Sequence, residues 1–178
     1  MSKIISVIFG SPRCGNSDKL AEAFISGVIE KGHLVHKIVI RDMNINGCNG
    51  CEYCYSHEGK CCQNDDMQKV YEYLSQSDVI VFASPIYYQS FPSQVKAFID
   101  RLYVTENRSF SIKQSILLIT YATPGEEMSL EMINYYKVLS SYHGWENKGI
   151  IAVSGLDEKN DIEEHSALRK AQELGYDI

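Results

Sequence analysis

The sequence predicts a three-layer α/β sandwich, in which helices cover both faces of a parallel β-sheet. Short, almost continuously apolar runs such as "IISVIF" and "DVIVFAS" recur along the chain, and they are typical of strands buried on both faces of a parallel sheet. Helix-length amphipathic segments alternate with these runs. This alternation favours βαβ units with right-handed crossovers.

Each element of the sandwich has its own signal in the chain. Gly32 is a C-cap signal that ends the first helix, and Pro92 is tolerated in the first turn of the third. The predicted strands are 3–9, 34–40, 78–84, 114–122 and one near 148–154. The predicted helices are 17–32, one from Asp65 or Asp66 through Leu74, 92–103, one ending near Tyr142, and one at about 161–174. We expect a single domain, 1–178, with a cysteine-rich insertion at about 44–64, which is long enough to suggest a functional loop.

Composition excludes several classes of partner. The 178 residues carry a formal net charge of −6 without a cluster of Lys and Arg, so neither nucleic acid nor an anionic membrane is expected as a partner. The longest apolar runs are far shorter than the roughly 20 residues that span a membrane. The start of the chain reads as a first strand rather than a signal peptide. We therefore expect a cytoplasmic protein, in which clustered cysteines favour a metal or redox role over structural disulfides.

The loop after the first strand, "GSPRCGNS", has the composition of an anion site. It combines the hydroxyls of Ser11 and Ser17 with the guanidinium of Arg13 and the amide of Asn16, at the start of a helix. Helix N-terminal N–H groups bind phosphate well. The loop matches neither the dinucleotide fingerprint nor the P-loop. The alternative interpretation is an ordinary turn and N-cap.

The loop after the third strand, "PIYYQSFP", is rich in aromatic residues. Tyr87, Tyr88 and Phe91 have no core-facing periodicity, so they could form an apolar wall for a planar ligand. The alternative is that some of these rings pack beneath the sheet edge or into a subunit interface. Exposed aromatic surface of this kind favours a homodimer or a higher homo-oligomer.

Four cysteines, Cys48, Cys51, Cys54 and Cys61, follow the spacing C-x2-C-x2-C-x6-C. This spacing resembles the compact cluster-binding run of bacterial ferredoxins and predicts a [4Fe-4S] site. Zinc bound by four thiolates, unfilled thiols, and disulfides formed under oxidant remain alternatives. The two other cysteines, Cys14 and Cys62, are assigned no role.

The motifs "GSPR..GNS", "DVIVFASPIYY" and "FPSQVKAFIDR" resemble the flavodoxin-like NAD(P)H-dependent FMN reductases. The cysteine segment narrows the resemblance to their iron–sulfur flavoprotein branch. The resemblance implies a sheet of order 2-1-3-4-5 and a bound FMN. The resemblance implies that the FMN phosphate contacts Ser11, Arg13, Asn16 and Ser17. It implies that the flavin ring lies along Pro85, Ile86, Tyr87 and Tyr88. The other edge of the ring would then face the loop containing Ala122, Thr123 and Gly125.

The expected function is an oxidoreductase in which NADH or NADPH passes a hydride to flavin N5. Electrons then pass to a small acceptor such as a quinone, a flavin, a metal ion or oxygen. This chemistry requires no side-chain acid or base, so no catalytic residue is named, and His57 and His143 are interpreted as structural. The alternative is a non-enzymatic electron carrier resembling flavodoxin.

Overall fold

The protein is described by a computed structural model that covers residues 2–106 and 108–178. Five strands form its sheet: β1 (Ile4–Phe9), β2 (Leu34–Val39), β3 (Val79–Pro85), β4 (Gln114–Thr120) and β5 (Glu146–Val153). The α-helices are α1 (Asn16–Glu30), α2 (Tyr53–Ser56), α3 (Met67–Ser75), α4 (Ser93–Arg101), α5 (Leu130–Tyr142) and α6 (Ala167–Tyr176). Among the described residues, no helix combines the length and the apolar character that crossing a membrane requires.

The strands form one sheet in the order β2-β1-β3-β4-β5, with parallel pairing between all neighbours. This confirms the predicted fold class and the strand order. Side chains alternate between the two faces of each strand. In β1, Ile5 and Val7 face the layer formed by α1 and α6, whereas Ile8 faces the layer formed by α3, α4 and α5.

Two glycines bring α1 and α6 unusually close together. A Cβ atom added at Gly27 would lie 1.9 Å from the carbonyl oxygen of Gln172, and one added at Gly175 would lie 2.1 Å from that of Phe24. The obstacles are backbone atoms, so the two helices approach at a distance that only glycine permits. This contact carries the β5–α6 loop back across the carboxyl edge of the sheet towards the start of α1.

The start of α6 differs from the sequence prediction. Helical structure begins at Ala167, whereas the pattern predicted a helix from about Asp161. The Asp161 carboxylate accepts a hydrogen bond of 2.7 Å from the backbone N–H of Glu158. Such side-chain bonds to the backbone compete with helix formation, so this stretch forms turns instead.

Candidate functional site

The carboxyl ends of the parallel strands carry a cavity of about 130 Å³ at the first turn of α1. This edge is where open α/β sheets bind ligands. Its walls come from the loops after β1, β3, β4 and β5. The lining residues are Ser11, Arg13, Gly15, Asn16, Ser17, Pro85, Ile86, Tyr87, Thr120, Tyr121, Ala122, Leu156, Asp157 and Lys159.

The loop after β1 is tightly packed and held by local hydrogen bonds. A Cβ atom at Gly10 would lie 2.5 Å from Cγ2 of Val95, so glycine lets the end of β1 approach α4. The hydroxyl of Ser11 accepts a hydrogen bond of 3.1 Å from the backbone N–H of Arg13. The backbone of this loop is therefore fixed locally, and the first-turn N–H groups of α1, which have no intrahelical partner, border the cavity.

A buried carboxylate lies beneath this turn. Asp18 accepts a hydrogen bond of 3.2 Å from the N–H of Gly15 and pairs with Arg41 at 3.1 Å. Burial raises the pKa of Asp18, and the charge of Arg41 opposes that rise. Arg41 also donates to the carbonyl of Ser11 at 3.3 Å. The negative charge of Asp18 is thus balanced locally, which leaves the positive end of the α1 dipole to act on a ligand.

The side-chain amide of Asn16 contacts the β5–α6 loop. Its Nδ2 donates to the carbonyl of Glu158 at 2.7 Å, and its Oδ1 accepts from the N–H of Ile162 at 3.3 Å. Asn16 lines the cavity, but its amide holds this loop over the start of α1. Its predicted contact with phosphate stays a prediction, and the backbone N–H is the group best placed to make it.

The β5–α6 loop contributes to the cavity although no motif in its own sequence predicts this. Leu156, Asp157 and Lys159 follow β5, the edge strand of the sheet opposite β2. All three nevertheless line the cavity. They reach it because α6 packs on α1. The available signal was a glycine in each of two helices, Gly27 and Gly175, which indicates close helix packing.

A second cavity of about 500 Å³ continues from the first. It shares Ile86, Tyr121 and Ala122 with that cavity, and its lining is completed by Tyr88, Gln89, Thr123 and Met128. All predicted flavin-site residues except Gly125 therefore line one cavity or the other. Gly125, with φ of +111°, lies outside both linings within the described part of the chain.

The wall of the second cavity is a strained hairpin. Tyr87 and Ser90 exchange backbone hydrogen bonds of 2.9 and 3.1 Å, and the two residues between them have positive φ, +46° at Tyr88 and +63° at Gln89. Such a conformation is rare for a bulky residue. It turns the ring of Tyr88 fully into solvent at the cavity mouth. Phe91, in contrast, is buried in the core against Phe82, so it is not part of the wall.

The cysteine segment, residues 44–64, is anchored on α4 by a buried ion pair. The carboxylate of Asp65 and the guanidinium of Arg101 form two hydrogen bonds, of 2.7 and 3.0 Å, and their side chains are 3% and 1% exposed. Arg101 also donates to the carbonyl of Asn46 at 3.0 Å. Burial alone would raise the pKa of Asp65, but the hydrogen bonds from Arg101 and Asn46 hold it below its usual value.

Five thiols share one small cavity in this segment. It measures about 20 Å³ and is lined by Cys48, Asn49, Cys51, Glu52, Tyr53, Cys54, Cys61, Cys62, Gln63, Arg101, Tyr103 and Val104. The Sγ atoms of Cys51 and Cys62 lie 3.5 Å apart. Among the described residues, no group of three or more His, Cys, Asp or Glu side chains has a geometry preformed for a metal ion. A guest larger than about one water would require the exposed thiols to move outward.

Backbone and burial distinguish the thiols. Gly50 and Gly59 have φ of +62° and +71°, as expected for a tightly wrapped loop. Cys54 is buried, and burial raises the pKa of its thiol. The backbone N–H of Tyr53 and the thiol of Cys62 lower the pKa of Cys51.

The two candidate sites lie at opposite ends of α4. The flavin-type cavity contacts the loop before Ser93, whereas the thiol cavity contacts Arg101. From Ser93 to Arg101 the helix axis rises by about 12 Å, at about 1.5 Å per residue. If a cluster is bound, we expect the loop after β2 to lie near the same sheet edge as the flavin, in the same chain or across a dimer, and this placement stays a prediction.

Comparison with known proteins agrees with this geometry. The chain is 36% identical over 121 residues to an iron–sulfur flavoprotein of Archaeoglobus fulgidus, which covers 67% of this chain and 54% of that protein. It is 25% identical over 179 residues to a putative NAD(P)H-dependent FMN-containing oxidoreductase of Bacillus subtilis, with coverage of 96% and 95%. The chain spans about half the length of the iron–sulfur flavoproteins that it matches.

Among solved structures, an NAD(P)H:quinone oxidoreductase from Methanothermobacter marburgensis superposes with a TM-score of 0.81 at 19% identity, covering 99% of this chain and 96% of that one. At that identity the likeness concerns the fold. Residues 4–143 match the sequence model of a family described as NADPH-dependent FMN reductase. That match covers well over half of the chain, and on it we conclude that the chain belongs to the NADPH-dependent FMN reductase family.

Proposed function

We propose that this protein is an FMN-dependent oxidoreductase that takes electrons from NADH or NADPH and passes them to a small acceptor. The acceptors that suit an open site of this kind are a quinone, a free flavin, a metal ion or oxygen. One observation carries the proposal: the continuous cavity at the carboxyl edge has an anion cradle at one end and an apolar, aromatic wall at the other. These two halves match the phosphate and the ring of FMN.

The phosphate end fits by its chemistry. The first-turn N–H groups of α1 and the hydroxyls of Ser11 and Ser17 are donors, and the charges of Arg13 and Lys159 border the same space. Phosphate prefers these groups, since helix N-termini and cationic side chains favour anions. In this proposal Asn16 acts through its backbone N–H, and its side chain keeps Lys159 over the cradle.

The ring end fits by its shape. Pro85, Ile86 and Tyr87 would lie against one side of a planar ring, with Ala122 and Thr123 at its other edge. When bound, FMN supplies a ring that accepts electrons from a nicotinamide and passes them on. The chain's own task is to hold the ring at a mouth open enough for two substrates in turn. Tyr88, fully exposed beside that mouth, would cover one of them.

We further propose that the cysteine segment holds a [4Fe-4S] cluster on Cys48, Cys51, Cys54 and Cys61. The donor set supports this, because the four thiols line one cavity together with the buried cation of Arg101. A bound cluster supplies a one-electron centre. Zinc, held by the same four thiolates at about 2.3 Å, is the alternative occupant, and metal analysis of the purified protein distinguishes the two.

The phosphate contact can be tested by reversing one charge. Replacing Lys159 with glutamate (Lys159→Glu) should weaken FMN binding about tenfold, because a carboxylate would then face the phosphate dianion. Riboflavin lacks the phosphate, so its affinity should not change. Lys159 is exposed, so the fold should tolerate the change. Fluorescence titration with both flavins measures the difference.

The matched control is Lys170→Glu, an exposed charge reversal on α6 outside the cavity linings. It should leave both affinities unchanged. Equal weakening of FMN and riboflavin by Lys159→Glu, or no weakening of FMN, would contradict the assigned phosphate position.

A further inference from the structure

Arg101 has a hydrogen-bond donor that the fold does not use. Among the buried side-chain polar atoms of the described residues, two are without a partner: Nδ1 of His36 and Nε of Arg101. Buried polar groups are nearly always paired, so an exception calls for an explanation. The Nε–H of Arg101 cannot be relieved by losing a proton, because the guanidinium is always charged.

Three other N–H groups of this guanidinium have partners. Its Nη1 donates to Asp65 and to the carbonyl of Asn46, and its Nη2 donates to the second oxygen of Asp65. The bidentate pair fixes the plane of the group. Anchoring the cysteine segment thus uses the two terminal nitrogens and does not explain the third.

The free donor belongs to a side chain that lines the thiol cavity. Arg101 borders the same 20 Å³ space as the cysteines. The pKa of Cys51 is lowered by hydrogen bonds from Tyr53 and Cys62 and also by the positive charge of Arg101. An ionised thiolate or a cluster sulfur is an acceptor, so loading the cavity would provide the missing partner.

We propose that Arg101 tunes the cluster by donating its Nε–H hydrogen bond to the sulfur of a ligand cysteine, Cys51 or Cys61, and thereby raises the reduction potential. This inference rests on the proposed cluster. Reduction adds one electron and hence one negative charge to the centre. A cation and a hydrogen-bond donor at the sulfur stabilise that added charge, and hydrogen bonds to sulfur are among the determinants of cluster potentials.

The test compares Arg101→Lys with the wild type, each reconstituted anaerobically with iron and sulfide. Lysine keeps the positive charge and can still pair with Asp65, but it has no counterpart of Nε. Reductive titration with dithionite, followed by EPR, should show that the ratio of reduced to oxidised cluster at a given potential falls about tenfold. For a one-electron centre, that is a shift of about 59 mV to more negative potential.

The matched control is Tyr71→Phe. The hydroxyl of Tyr71 donates to the backbone carbonyl of Arg101 at 2.9 Å, so the variant disturbs the surroundings of the same residue but keeps the hydrogen bonds from its guanidinium to Asp65 and Asn46. Its potential should stay close to that of the wild type. An unchanged potential in iron-replete Arg101→Lys, or an equal shift in both variants, would overturn the proposal.

A second readout uses the unaltered protein. Wild type carrying arginine labelled with ¹⁵N at Nε should show a ¹⁵N coupling to the reduced cluster in pulsed EPR. Because Arg101 is the one arginine in the thiol-cavity lining, among the described residues, the coupling would identify it. Absence of that coupling overturns the proposal even if Arg101→Lys fails to load. A wild type that takes up no iron rejects the cluster itself, and leaves the FMN assignment standing.

Discussion

Replacing Gly27 with valine is expected to destabilise the protein by about 3 kcal/mol or more. Even the Cβ atom would lie 1.9 Å from the carbonyl oxygen of Gln172 and 2.8 Å from the backbone nitrogen of Tyr176. Neither is the movable end of a side chain, so α6 would have to separate from α1. Urea unfolding followed by circular dichroism measures the free energy of unfolding.

The matched control for this change is Ser26→Val. Ser26 precedes Gly27 in α1 and is exposed. Ser26→Val therefore also places a β-branched side chain in the helix, with the same cost, but without a clash with α6. It should lose well under 1 kcal/mol. Comparable losses in the two variants would contradict the close contact between α1 and α6.

The Gly27 change should also reach the flavin site. The loop that carries Lys159 joins β5 to α6, and it crosses to α1 because these two helices pack together. Displacing α6 should therefore weaken FMN binding in whatever fraction of the variant remains folded. Ser26→Val should retain the wild-type affinity.

The second large effect is expected at the cysteine segment. Cys54→Ser should reduce the iron content of anaerobically reconstituted protein from about four atoms per chain to near zero, because a four-thiolate site would lose a ligand. Cys54 is the buried thiol of the set. Iron and acid-labile sulfide assays, with the visible spectrum, measure the loss.

Cys14→Ser is the control for the cysteine variant. Cys14 is exposed and lies in the loop after β1, apart from the thiol cavity. This variant should keep its full iron content. Iron that persists in Cys54→Ser, or a wild type that binds zinc tightly and no iron, would contradict the assigned cluster.

The sheet, and the contribution of the loops after β1 and β3 to the site, could be predicted because each depends on local sequence. The apolar runs of β1 and β3 specify buried strands, and the parallel topology brings the loops that follow them to one edge. Ser11 and Tyr87 therefore line the same cavity although they are far apart in the chain.

The remainder depends on contacts that no local pattern encodes. Lys159 lies in the loop that follows β5. It reaches the cavity beside α1 because α6 packs on α1 through glycine. Arg101 is a charged residue at the end of α4, yet it is buried in an ion pair with Asp65, which lies 36 residues earlier in the chain. Phe91 sits in a loop that resembles a ligand wall, but it packs on Phe82.

In the proposed function, bound FMN receives electrons from a pyridine nucleotide. The most direct test of this transfer is to load the protein with FMN, mix it anaerobically with NADH or NADPH, and follow the flavin absorbance. At least one of the two nucleotides should bleach the flavin within turnover time. Bound FMN that neither nucleotide reduces would contradict the enzyme and favour an electron carrier, and a protein that takes up no FMN would contradict the proposed function altogether.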